Sequence, residues 1–229
     1  MTGAADHAGP EMASTTFGSN VSMFDEDFWD QRYRSQTAVW SGRPNPHLVA
    51  EAAELPPGAA LDVGCGEGAD AVWLAERGWQ VTAADISTTA LQRGAAQAEA
   101  LDADVARRIL WQHADLTRWA PRENHFDLVS AQYMHLPPDL RKPLFAGLAT
   151  AVGPGGTLLI VGHHPSDLQT TMPRPPLPEL FYSAEELADS LDADHWEVLV
   201  AEARPRSASD PTGQEVTIHD AVLRARRPR

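Results

Sequence analysis

Leu61-Asp62-Val63-Gly64-Cys65-Gly66-Glu67-Gly68-Ala69 decides the fold. An apolar strand runs into an acid, then into a turn with Gly at every second position, then into a helix. Residues without a Cβ let the backbone bend sharply and let a ligand lie against it. The helix that follows aims its free N–H groups, the positive end of its dipole, at whatever sits there. Ligands of open α/β sheets bind at the carboxyl ends of the strands, so this is a cofactor turn.

Two readings meet at the turn. Gly64-x-Gly66-x-x-Ala69 satisfies the dinucleotide pattern G-x-G-x-x-G/A, which alone is a weak signal. Asp62 separates the readings. A carboxylate at the strand end repels a pyrophosphate and favours a cation or a hydrogen-bond donor. The sulfonium and amino group of S-adenosylmethionine answer that description. Asp62-Val63-Gly64-Cys65-Gly66-Glu67-Gly68 resembles the first motif, D/E-x-G-x-G-x-G, of the class I S-adenosylmethionine-dependent methyltransferases, and it matches in full. The resemblance extends by element order over residues 25–226.

Element order follows from patterning outward from the turn. The tail over residues 1–20 is rich in Ala, Gly, Ser and Thr and reads as mobile. A short amphipathic helix over Phe24–Tyr33, a turn-rich loop over Trp40–Pro46 and a helix over His47–Leu55 follow. Strands are expected at Ala60–Val63, Gln80–Ala84, Ile109–His113, Phe126–Ala131 and Thr157–Val161. Helices are expected between them at Ala69–Arg77, Thr88–Ala103 with Ser87 as N-cap, and Asp139–Val152. Gly153-Pro154-Gly155-Gly156 reads as the turn into the fifth strand, and Ser183-x-x-Glu186 as a capping box for a helix to Leu191. The last two strands, Trp196–Ala203 and Val216–Arg224, have no helix between them. The implied fold is α/β: a Rossmann-like doubly wound sheet, mostly parallel, with an antiparallel last strand. One domain over residues 21–229 is expected, with a helical cover at 21–57 and the α/β core at 58–229.

Charge and cysteine content narrow the partners. The net charge of −14 argues against nucleic acid, because phosphate binding needs Lys/Arg clusters. Only the short tail Arg224, Arg226, Arg227, Arg229 is basic, and it reads as a solvated terminus. A single cysteine excludes an internal disulfide and suits the reducing cytoplasm. No apolar run reaches membrane-spanning length, and no signal-peptide core is present. The expected partner is a small-molecule methyl acceptor, in an oligomeric state the sequence leaves open.

The resemblance assigns the cofactor residues. Asp62 and the bend of Gly64, Cys65 and Gly66 hold the methionine part, with Cys65 as a small residue that fits the bend rather than a nucleophile. Asp85, ending strand 2, accepts the ribose hydroxyls, since an ionised Asp offers acceptors only; its alternative is a capping or solvated acid. Ile86 lies on the adenine face. Asp115 takes the adenine amino group and the Leu116 amide contacts the ring. The backbone of Ala131 and Gln132 runs beside the methionine moiety. Phe28-Trp29-Asp30-Gln31-Arg32-Tyr33 and Trp40-Ser41-Gly42-Arg43-Pro44-Asn45-Pro46 resemble the N-terminal cover of the thiol, thiopurine, halide and tellurite methyltransferase group. There Trp29, Tyr33, Trp40 and Arg43 close over the cofactor, and aromatic faces attract a cation. The alternative for Trp29 and Tyr33 is helix core.

The acceptor side is less determined. Methyl transfer needs a nucleophile behind an activated methyl and exclusion of water. A base is needed only for a protonated nucleophile. His135, in Tyr133-Met134-His135, is the catalytic candidate, with His163 and His164 as further base candidates; Tyr133, His135, His163 and His164 are the substrate-side set. No acidic ligand set accompanies the His pair, so no metal is expected. Arg174, in a Pro-rich connector, is a candidate for attracting an anionic substrate. Glu67 and Asp70 read as helix N-terminal acids. The sequence thus points to methylation of a small molecule, possible acceptors being a thiol or chalcogen oxyanion. The alternatives are O- or N-methylation of a secondary metabolite, an NAD(P)-dependent oxidoreductase on the same turn, and a non-enzymatic binder that keeps the pocket.

Overall fold

The computed structural model describes residues 24–229, so the tail expected over residues 1–20 lies outside the described residues. Helices α1 (Glu26–Arg34) and α2 (Pro46–Ala52) come first. The core then runs β1 (Ala59–Val63), α3 (Ala69–Glu76), β2 (Gln80–Asp85), α4 (Thr88–Leu101), α5 (Ala103–Ala106), β3 (Ile109–His113) and β4 (Phe126–Gln132). It ends with α6 (Pro138–Ala151), β5 (Val152–His163), α7 (Ala184–Asp189), β6 (Glu197–Ser209) and β7 (Glu215–Arg226). Seven strands form one sheet in the order β3-β2-β1-β4-β5-β7-β6. The pairings from β3 through β5 are parallel, and β7 is inserted antiparallel between β5 and β6. This is the doubly wound sheet with an antiparallel last strand.

Both faces of the sheet are covered, which is why its central strands are mostly apolar. Leu61 and Val63 of β1 join Leu144, Phe145 and Leu148 of α6 beneath one face. Ala60 joins Leu48 of α2 and Trp73 and Leu74 of α3 beneath the other. Each such Leu or Val stabilises the fold by about 1.5–3 kcal/mol relative to exposure. Asp62 interrupts this apolar strand while only 2% exposed, so its carboxylate works against folding. Strand order reverses between β1 and β4, which puts the Gly bend after β1 at the crevice where such sheets bind ligands.

Three boundaries differ from the sequence reading. The helix expected to reach Ala103 stops at Leu101, because Asp102 turns extended and its side chain caps the separate turn α5. Gly153–Gly156 is a bulge within β5 rather than a turn before it: Val152 already pairs with Phe126, and the register shifts before Leu128. The last hairpin is longer at both ends of its loop, with Asp210 closing it by accepting from the Thr212 and Gln214 amides. Both predicted caps are present: Ser87 accepts from the Ala90 amide, and Ser183 and Glu186 complete the capping box. No helix among the described residues is long and apolar enough to cross a membrane.

Candidate active site

The bend after β1 takes its shape from positive φ at Gly64 (+68°), Gly66 (+53°) and Gly68 (+82°), the region where L side chains are strained. The Gly64 and Cys65 amides donate to the Ala84 carbonyl, and the Gly66 amide to Asp85 Oδ2 at 2.8 Å. The bend is therefore tied to the end of β2. Space matters as much as φ. A Cβ on Gly66 would stand 2.9 Å from the Tyr33 hydroxyl, and one on Gly68 would stand 2.3 Å from the Trp111 ring.

Three carboxylates converge beneath this bend without a cation among the described residues. Asp62 Oδ2 is buried and has no hydrogen-bond partner. Burial, then the charges of Asp70 and Asp85, pushes the Asp62 carboxyl well above the usual range, opposed only by the Ala71 amide. Burial raises Asp70 to about 6. Burial also raises Asp85, against the Ser87 and Gly66 amides that favour its charged form. Asp85 thus spends one lone pair on each of two backbone amides and keeps further acceptor capacity. An orphaned acceptor among like charges fits a ligand bearing an ammonium or a sulfonium. It does not fit a diphosphate. The thiol of Cys65 is driven up by burial and by the same acids, which keeps it protonated and unreactive.

The N-terminal segment is fastened over the bend by acids the sequence reading had left as helix-end charges. Glu67 accepts from the Val39 and Trp40 amides at 3.1 and 3.2 Å and pairs with Arg93 at 3.0 Å. Asp70 accepts from the Asn45 amide at 2.6 Å. Asp30 of α1 reaches the N-terminus of α4, accepting from Ser87 Oγ and the Thr89 amide. Tyr33 is buried and takes a hydrogen bond from the Trp40 indole at 2.9 Å. Trp29 packs with Tyr33 and Val39. The cation facing Trp29 and Trp40 is the Arg32 guanidinium, at 5.9 and 5.8 Å from the two rings. Arg43 is exposed, and its side chain makes no hydrogen bond or ion pair among the described residues.

On the adenine side, Ile86 is half-buried and its carbonyl accepts from His113. Asp115 accepts from the amide and hydroxyl of Thr117 through one oxygen, which fixes its rotamer. Leu116 is buried in the core cluster. On the acceptor side, Ala131 is fully buried, and Gln132 donates to Ser130 while its own Oε1 is buried and unpartnered. Tyr133 holds a positive φ of 55°, a strained state for a non-Gly residue. Two bonds hold it there: its amide donates to Val161, and its hydroxyl donates to Asp220 Oδ2 at 3.1 Å.

The three histidines part company. His135 is enclosed: Nδ1 donates to the Leu180 carbonyl at 3.1 Å, and Nε2 accepts from the His163 amide. Burial, then His163, draws it down to about 3. His164 caps the short helix after β5 through Ser166 and does not join the others. His163 stacks on His135, with centroids 4.9 Å apart. Its partner Asp220, from β7, was invisible to motif reading. Asp220 Oδ2 accepts from His47 at 3.0 Å and Arg206 at 2.7 Å as well as from Tyr133. Burial opposes its ionisation, yet His163, His47 and Arg206 outweigh that and hold the carboxyl far below its usual value. Arg174 does not stand free for an anion: it donates to Asp167 at 2.8 Å. Two surface cavities, about 290 and 280 Å³, lie at the amino ends of the strands, away from all of these groups.

Known proteins resemble this chain in sequence and fold. Residues 60–156 match the family model described as a methyltransferase domain. That match and the sheet order support a class I S-adenosylmethionine-dependent methyltransferase fold. It is 33% identical to "Probable thiol methyltransferase 2" of Arabidopsis thaliana, over 57% of this chain and 59% of that protein. It is 27% identical to the 2-heptyl-1-hydroxyquinolin-4(1H)-one methyltransferase of Mycobacteroides abscessus, over 59% of this chain and 63% of that one. The match thus spans about three-fifths of either relative. A chain solved in work on the conversion of a disulfide bond into a thioacetal group during echinomycin biosynthesis superposes with a TM-score of 0.68. It shares 25% identity, over 89% of this chain and 91% of its own length.

Proposed function

We propose that this chain uses S-adenosylmethionine to methylate a small molecule, a thiol or chalcogen oxyanion. The observation that carries the cofactor assignment is the buried, unpartnered Asp62 Oδ2 beneath a glycine bend crowded with acids. Asp62 and the bend of Gly64, Cys65 and Gly66 would hold the methionine part, and Asp85 the ribose. Ile86, Asp115 and Leu116 would hold the adenine, with Ala131 and Gln132 alongside. When bound, the cofactor supplies an electrophilic methyl on positive sulfur. The protein holds the acceptor behind that methyl and keeps water away. Tyr33 and Trp40, fastened by Glu67, cover the bend from outside, so the described part of the expected cover, residues 24–57, would act as a cover on a core at 58–229 within one functional domain.

Sulfur as acceptor is supported by the Arabidopsis relative's name and by the disulfide-to-thioacetal chemistry named for the solved neighbour. The hydroxyquinolinone relative supports oxygen or nitrogen as the second reading. A small organic acceptor in a reducing cytoplasm suits a chain of net charge −14 with a single cysteine. The deciding assay offers simple thiols, tellurite and phenols with the methyl donor. Turnover of thiols or tellurite is expected. Turnover of phenols alone would remove the sulfur reading.

A further inference from the structure

Each of the three glycines of the bend is covered by side chains, and the covers differ. Gly66 lies under Tyr33 and Trp40: a Cβ there would stand 2.9 Å from the Tyr33 hydroxyl and 3.1 Å from the Trp40 indole nitrogen. Those two side chains are hydrogen-bonded to each other, and Glu67 holds the Trp40 amide. Gly68 lies under the Trp111 ring, which also fits against Gly94 of α4. Gly64 lies under Met134. A Cβ there would run into the Sδ atom, with Cγ and Cε 3.6 and 3.7 Å away. The Met134 side chain is only partly buried, at the edge of the core that holds Leu61, Val63 and Ala131. It is unbranched, with three rotatable bonds and no strong polar anchor.

Some cover must move before the bend can take a ligand. Asp62 Oδ2 and Gln132 Oε1 have no hydrogen-bond partner among the described residues, and both atoms are closed off from solvent. They belong to one patch: Asp62 is in register with Ser130, and Gln132 donates to the Ser130 hydroxyl. An ammonium group reaches neither acceptor past the present covers. Displacing Tyr33 and Trp40 breaks hydrogen bonds, and displacing Trp111 unseats a ring packed against two glycines. Displacing Met134 costs dispersion contacts alone.

We infer that Met134 is a displaceable plug in the donor slot, and so a residue that sets donor affinity. The inference rests on the donor assignment above. In the ligand-free chain the Met134 thioether lies on the face of the bend that the donor's methionine part would take. One sulfur-containing chain holds the place of another. On binding, the side chain turns away, Gly64 is uncovered, and the ligand's amino group gains Asp62 Oδ2 and Gln132 Oε1. The adenosine end, at Asp85 and Ile86, needs no such move.

The test uses the full chain labelled with ¹³C at the methionine methyls. The conservative variant Met134→Leu assigns the Met134 signal. Saturating S-adenosylhomocysteine is expected to shift that signal by more than its linewidth. The Met172 signal, from the separate cluster with Ala208 and Ile218, is expected to stay in place. Adenosine, which lacks the amino-acid chain, is expected to move neither. By calorimetry, Met134→Ala should bind S-adenosylhomocysteine about tenfold more tightly, because a slot open about a tenth of the time lowers apparent affinity by that fraction. Its adenosine affinity should be unchanged. S-adenosylhomocysteine bound with the Met134 signal unmoved, or bound no more tightly by Met134→Ala, would overturn the plug. So would an equal shift with adenosine. Tighter binding by Glu67→Gln in place of Met134→Ala would overturn it too, and would make the N-terminal cover the gate. A wild type that gives no heat with S-adenosylhomocysteine would remove the donor reading itself, and the plug with it. The wild-type methyl signal decides even if Met134→Ala fails to fold.

Discussion

Two buried groups of carboxylates sit at the same end of one sheet and behave oppositely. Under the glycine bend, Asp62, Asp70 and Asp85 share no cation among the described residues, and burial drives all three upward. Under the acceptor end, Asp220 and Asp167 each carry an arginine, and Asp220 is held far down. Burial is common to both, so burial alone does not decide the sign; the presence of a paired cation does. The first group is left electrostatically incomplete, and in the proposed function a positive ligand would complete it. The second has its charge balanced by arginines, although Asp220 Oδ1, like Asp62 Oδ2, has no hydrogen-bond partner among the described residues, and it serves to fix rings in place.

The largest expected effect breaks the balanced group. Arg206→Met leaves the Asp220 carboxylate buried without its guanidinium. Since Arg206 is partly exposed, a loss of about 2–4 kcal/mol at neutral pH is expected in urea unfolding. A change under about 0.5 kcal/mol would show that the pairing is idle. Asp62→Asn sharpens the contrast from the other side. S-adenosylhomocysteine should bind about 30-fold more weakly, the value of one hydrogen bond to a charged group. The ligand-free variant should nevertheless be more stable than wild type by about 1 kcal/mol at pH 7. The sign follows because a carboxyl raised on folding contributes stability while protonated and loses it as pH climbs through the unfolded value. Weaker binding together with lower stability would contradict the account of an incomplete group.

A histidine tests burial without a partner carboxylate. His135 is drawn from 6.5 to about 3, so the unfolded chain takes the proton first as pH falls. Stability is then complete above the unfolded value and declines below it. Between pH 6.5 and 5, His135→Asn should lose about 1.5 kcal/mol less than wild type. Parallel pH curves would place the ring in water. The smallest expected effect concerns the cover. Glu67→Gln weakens the hold on the Val39 and Trp40 amides and should cost about 1 kcal/mol in unfolding and about threefold in S-adenosylhomocysteine affinity.

The two groups also differ in how far the sequence discloses them. Asp62 stands two residues before Gly64, so strand, acid and bend are one local pattern, and the sheet, the caps and the antiparallel last strand follow from equally local signals. Asp220 lies 173 residues from His47 and 87 from Tyr133. Only sheet register brings them together, and no spacing rule connects them. Glu67 and Asp70 were legible as acids at a helix start, but not as the fasteners of a segment about 25 residues upstream. The Gly153–Gly156 bulge was misplaced for a related reason, since a glycine run reads as a turn until the neighbouring strand is known to keep pairing through it.

The most direct test of the central claim is calorimetry of the wild-type chain with S-adenosylhomocysteine and, separately, with NADH. An acid-lined bend with no cation among the described residues is expected to bind the amino-bearing nucleoside in the micromolar range and to give no heat with the diphosphate. Binding of NADH, or silence with S-adenosylhomocysteine, would contradict it.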